Sequence, residues 1–225
     1  MLDTSWRMLL FGLVAGLSPI AVVSTLAVLT SARGRANGLA FATGFMLGQS
    51  TAFAAAYFIG AAATMNTDGN EQVAAGLELA FGIFLLAIAW PQRRRPEEAV
   101  VVGHSRTKAL LDRLRGLRPG TAFTAGTLLG IGGVKRLSIT LVAGATVGVA
   151  GLGPAEDFAA AIIYISVGGL LVWLPVSIYV VAGARAEDWI AAAETWLTGN
   201  QRQLMFFSTV VFGLLLTSDA VVRLL

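Results

Sequence analysis

The sequence predicts an all-α integral membrane protein of six transmembrane helices, arranged as two three-helix repeats of opposite topology. Three observations lead there. Only 13% of the 225 residues are charged and 56% are hydrophobic, whereas a soluble domain carries about 25% charged residues. Six apolar runs, 8–30, 38–64, 74–91, 120–150, 158–184 and 204–225, have the lengths expected of spans, since about 20 residues cross the hydrocarbon core. The connecting segments then alternate in charge, one side basic and the other acidic. No remaining hydrophilic stretch is long enough to build a core of its own.

Span 1 (8–30) reads as a retained helix, not a cleavable signal peptide. Its apolar run exceeds the usual h-region of about 7–15 residues, and only Arg7 stands before it as a basic flank. Ser18-Pro19 interrupts it midway, because proline removes a backbone donor and clashes with the preceding turn. Span 2 (38–64) contains one long polar side chain, Gln49. Span 3 (74–91) carries Glu78 near its start, an interfacial position. With span 1 these form the first unit, residues 1–91.

Residues 92–119 form a basic loop. R-R-R-P-E-E at 93–98 suits an irregular solvated segment. Leu110, Leu111, Leu114 and Leu117 then follow helical spacing among Lys108, Arg113 and Arg115, a short amphipathic helix suited to anionic lipid headgroups. A charge cluster that merely sets topology is the plainer alternative. His104 stands without metal-ligand neighbours and reads as a solvated loop histidine.

The second unit, 120–225, opens with span 4, where Gly132-Gly133 weakens the helix midway and Lys135-Arg136 follows at once. A charge at the bilayer centre costs about 2.5–3.5 kcal/mol on insertion scales, so something must offset it. Either both cations snorkel to water, or they face a cavity between the repeats beside a half-helix N-terminus, where an anionic group would bind. Irregular backbone at that depth is tolerated only when buried in protein or lining a cavity. Span 5 (158–184) contains Pro175, which points to a kink there. Between spans 5 and 6, Trp189, Ile190, Ala193, Trp196 and Leu197 fall on one helical face and read as an interfacial anchor. Span 6 (204–225) holds Asp219, a candidate to pair with Lys135 or Arg136 or to carry a proton.

Orientation follows from the loops. Twelve Lys or Arg residues lie in 31–37, 92–119 and 185–203, and none in 65–73 or 151–157, which hold Asp68, Glu71, Glu156 and Asp157. By the positive-inside rule the basic loops are cytoplasmic and both termini extracytoplasmic, in the plasma membrane. Spans 1–3 and 4–6 are then inverted with respect to each other, the architecture that places transporter sites at the repeat interface. Gly12-x3-Gly16 aligns with Gly126-x3-Gly130, Ser18-Pro19 with Gly132-Gly133 and Ser24 with Ser138, while F-G-I-F-L-L at 81–86 resembles F-G-L-L-L-T at 212–217.

Cysteine is absent, which excludes disulfides, thiolate catalysis and Cys-ligated metal. No His/Glu metal pattern or nucleophile–base pair is visible, so neither an enzyme nor a cofactor is expected. The charge of +3 is explained by topology and calls for no nucleic-acid partner.

S-P-I-A-V-V-S-T-L from Ser18, N-G-L-A-F-A-T-G-F-M-L-G from Asn37, V-W-L-P-V-S-I-Y-V-V-A-G from Val172 and W-L-T-G-N-Q-R-Q-L-M from Trp196 resemble the sulfolipid-1-addressing and peptidoglycolipid-addressing proteins of the lysine-exporter superfamily. The resemblance covers nearly the whole chain. It implies a six-helix carrier with a 3+3 inverted repeat, moving a glycolipid or its precursor to the surface of an actinobacterium. The family commonly has Asn-Pro-Lys where this chain has Gly133-Val134-Lys135, so Lys135 matches the family lysine while the Asn and Pro are missing. The expected function is thus export of an anionic lipid-linked or small substrate by alternating access. Lys135 is the principal ligand, with Arg136, Ser18, Pro19, Gly132, Gly133 and Gln49 around the cavity. Alternatives are an amino-acid or cation exporter of lysine-exporter type, or a non-transporting accessory docked on a lipid-export complex. The partners expected are the lipid substrate, anionic headgroups at the basic loop, and a second copy of the chain or a lipid-transport complex.

Overall fold

A computed structural model describes residues 2–64 and 118–186, with scattered residues from 188 to 210. Every regular element among the described residues is helical: α1 (Leu2–Gly16), α2 (Pro19–Leu29), α3 (Gly34–Thr64), α4 (Pro119–Ile131), α5 (Val134–Ala150), α6 (Pro154–Gly168), α7 (Leu170–Ala182) and a 3-10 turn, Gly183–Ala186. Spans 3 and 6, Glu78, Asp219, His104 and the amphipathic helix of the basic loop lie outside the described residues.

Among the described residues one helix, α3, is long and apolar enough over Gly34–Ala62 to cross a membrane unaided. Three bent pairs reach that length together: α1 with α2 at 64°, α4 with α5 at 65°, and α6 with α7 at 67°.

Each bend has a local cause. Ser18, immediately before proline, takes an extended backbone (φ −110°, ψ 100°), because the α region is disfavoured there. Pro19 then starts α2, where its missing N–H would have been unpaired anyway. At the second break Gly132 adopts φ 91°, ψ 172°, a region essentially confined to glycine, and Gly133 returns to extended backbone. The third bend is at Gly169, between α6 and α7. Pro175 sits inside the continuous α7, while the 67° bend of this pair falls at the glycines. Across that bend the indole N–H of Trp173 donates to the Ser166 carbonyl at 3.0 Å.

The packing joins helices far apart in the chain. The bent pair α1–α2 lies on α6–α7, and the bent pair α4–α5 lies along α3. The two seams correspond. Gly12 meets Tyr164 and Val167 while Gly16 meets Val167 and Gly168; Gly126 meets Phe41 while Gly130 meets Phe45. The aligned small-xxx-small motifs therefore occupy seams of the same kind, Gly12 and Gly16 against α6 and Gly126 and Gly130 against α3. At the α3–α4 seam a Cβ on Gly130 would stand 2.1 Å from the Phe45 carbonyl oxygen, so backbones touch there. Small residues permit such close approach between helices in a bilayer.

Two apolar clusters follow. One joins α2, the first half of α3, Ala122 of α4, α7 and Ile190. The other joins α1, Phe53 of α3, α5 and α6. In the segment after α7, Ile190 is buried while Trp189 and Trp196 are exposed. The expected single face is thus divided: Ile190 docks on the core and the tryptophans turn outward.

Candidate functional site

The three breaks converge on Arg136. Despite its charge it is only 5% exposed. In the first turn of α5, its stem lies against Gly132, where an added Cβ would come within 2.6 Å of the Arg136 Cβ. The guanidinium donates through Nη1 to the Ala15 carbonyl at 3.0 Å, and through Nη2 to the Gly168 carbonyl at 2.7 Å and Gln49 Oε1 at 2.8 Å. Its carbon sits 4.4 Å from the Phe45 ring centroid, within cation–π range. Nε is buried without a partner.

The acceptors explain how a buried cation is held. Ala15 and Gly168 lie in the last turns of α1 and α6, and last-turn carbonyls have no intrahelical donor. Each helix C-terminus carries about half a negative charge, so two such ends together nearly balance one guanidinium. Among the described residues no carboxylate contacts it. Gln49 is the central residue of α3, with fifteen helical residues on either side, and it is fully buried. Phe45, one turn before it, belongs to one apolar cluster and Phe53, one turn after, to the other. The polar hub is the waist between them.

A second layer extends the hub. Thr140 Oγ1 donates to the Arg136 carbonyl at 2.9 Å and lies 2.6 Å from the Tyr164 hydroxyl. The Gln49 amide nitrogen is 3.5 Å from the Tyr164 carbonyl, and the Tyr164 ring stacks on Phe53 with centroids 5.2 Å apart. Farther along α3, the Tyr57 hydroxyl donates to Asp157 Oδ2 at 2.9 Å.

Of the residues expected at a site, Arg136, Gln49 and Gly132 come together. Gly133 stands beside them, and a Cβ added there would meet no atom within 4 Å, so this side of the break is open among the described residues. Ser18 and Pro19 form the neighbouring break. Lys135 lies in the first turn of α5; its side chain is outside the described residues, as is Asp219. Sequence reasoning missed Ala15, Gly168, Thr140 and Tyr164. Two of these act through backbone carbonyls, which carry no sequence signature. The Gly168-Gly169 pair, equivalent in type to Gly132-Gly133, was the available signal for the third break.

No curated protein and no solved structure matches the chain. The family model of Sap, sulfolipid-1-addressing protein, matches residues 8–221, a stretch that includes every break and every residue of the hub. The chain belongs to the sulfolipid-1-addressing protein family.

Proposed function

We propose that this protein is a non-enzymatic membrane carrier that exports an anionic, lipid-linked substrate by alternating access between two inverted three-helix units. Its six crossings would place both termini outside the plasma membrane, with the basic loop 92–119 against anionic headgroups. The family description supports lipid addressing. The reciprocal seams, α1 on α6 and α4 on α3, support the 3+3 repeat, because a pseudo-two-fold axis relates pairs of this kind.

The observation that carries the reading is the Arg136 hub: a buried cation, ringed by neutral acceptors at the meeting point of three broken helices. A membrane accessory has no need to keep such a charge between two apolar clusters. In the proposed cycle Lys135, at the start of α5, attracts the anionic group to the open side at Gly133, and Arg136 receives it.

The test compares surface-exposed lipid, resolved by leaflet, among wild type, deletion and Lys135→Ala. Deletion should retain the substrate inside, and Lys135→Ala should do the same at wild-type membrane abundance. Wild-type export by Lys135→Ala would remove the lysine from the site.

A further inference from the structure

The hub joins segments on either side of the three breaks. Arg136 sits after the break of its own bent pair, whereas its carbonyl partners sit before the breaks of the other two. None of these bonds lies within a continuous helix, so a shift of α1, α5 or α6 at its break would undo one. The carbonyl and amide acceptors carry only partial charge and each takes a single N–H, whereas an oxyanion offers a full charge and the bidentate geometry that makes guanidinium–anion pairs strong. A sulfate or phosphate ester would engage guanidinium through paired N–H donors, and the unpartnered buried Nε is a donor already available. Drawing the guanidinium toward an anion would leave the Ala15 and Gly168 carbonyls without their donor and the ends of α1 and α6 unrestrained.

We propose that Arg136 is a latch: it pins the ends of α1 and α6 at the waist until the oxyanion of a sulfate or phosphate ester exchanges with their carbonyls, so that ligand binding itself releases the two half-helices. The proposal rests on the carrier reading above and adds the regulation of that site. Gln49 holds the guanidinium during the exchange, because an amide oxygen on the unbroken α3 does not move with either half-helix.

Pulsed EPR tests it. The chain has no cysteine, and Leu13 on α1 and Ile162 on α6 are both exposed, so Leu13→Cys with Ile162→Cys gives one clean spin-label pair. In nanodiscs, octyl sulfate or octyl phosphate should shift or broaden the distance beyond the width of the ligand-free distribution, and octyl glucoside should not. The same shift with inorganic sulfate alone would support the latch and identify a free anion as sufficient. Arg136→Gln should be broad without ligand and indifferent to octyl sulfate. Gln49→Glu, which gives the guanidinium an internal carboxylate, should stay narrow in its presence and keeps the test informative if Arg136→Gln does not fold. A wild-type distance unchanged by bound octyl sulfate, or no binding of either ester, would overturn the latch. Failure of the carrier reading would be seen separately, as unchanged surface lipid on deletion.

Discussion

The Arg136 Nη2 lies 2.7 Å from the carbonyl oxygen of Gly168, thirty-two residues along the chain and beyond the turn that separates α5 from α6. That bond ties the start of α5 to the end of α6, and its neighbour to Ala15 ties both to the end of α1. The fold's broken backbone and its buried charge therefore meet at one place.

Removing the cation tests what the hub contributes to folding. Arg136→Leu keeps bulk but leaves the Ala15 and Gly168 carbonyls unpaired, at about 1–3 kcal/mol for each buried orphan. Thermal unfolding in detergent should show a clear loss of stability. Arg136→Lys should recover only part of it, since three donors on one nitrogen lack the span of a guanidinium fork. An undiminished melting temperature for Arg136→Leu would mean that the carbonyls find other donors.

The α3–α4 seam makes a contrasting pair of glycine substitutions. Gly130→Ala would force its Cβ to within 2.1 Å of the Phe45 carbonyl oxygen, and overpacking of this kind costs about 1–3 kcal/mol. Phe45 also carries the guanidinium on its ring, so activity should fall with stability. Gly120→Ala in the same helix meets no atom within 4 Å and should be neutral or stabilising by up to about 1 kcal/mol. Equal melting temperatures would refute the close approach.

Much of this organisation is legible in the sequence, and the illegible part has a physical reason. Ser18-Pro19 and Gly132-Gly133 mark two breaks because proline and paired glycines stand out in apolar runs. In span 5 Pro175 is the more conspicuous breaker, yet α7 accommodates it and the chain bends at Gly169. Gln49 is legible as the long polar side chain of span 2. Its partnership with Arg136 is not, because that depends on three helix ends meeting in space. Family resemblance draws attention to Lys135, whereas the neighbouring Arg136 makes the visible contacts.

Orientation is open to direct labelling in this cysteine-free chain. Cysteines at Gly69 and Ala155 should react with an impermeant maleimide from outside intact cells, and one at Gly103 should react only after lysis. Labelling at position 103 in intact cells would reverse the proposed topology.

The last prediction separates the adjacent glycines of the second break. Gly132→Ala places a side chain in the φ 91°, ψ 172° region, where non-glycine residues cost about 1–3 kcal/mol, and drives a methyl into the Arg136 stem. Stability and export should both drop. Gly133 has an ordinary φ of −77° and open space beyond its Cα, so Gly133→Ala should fold with a change within about 0.5 kcal/mol. Gly133→Leu is then the informative variant, because it narrows the open side without touching the hub. Normal melting with reduced surface lipid would place the substrate's path along Gly133. Normal melting with wild-type export would move the path elsewhere and leave Gly132 as a residue that serves only to seat Arg136.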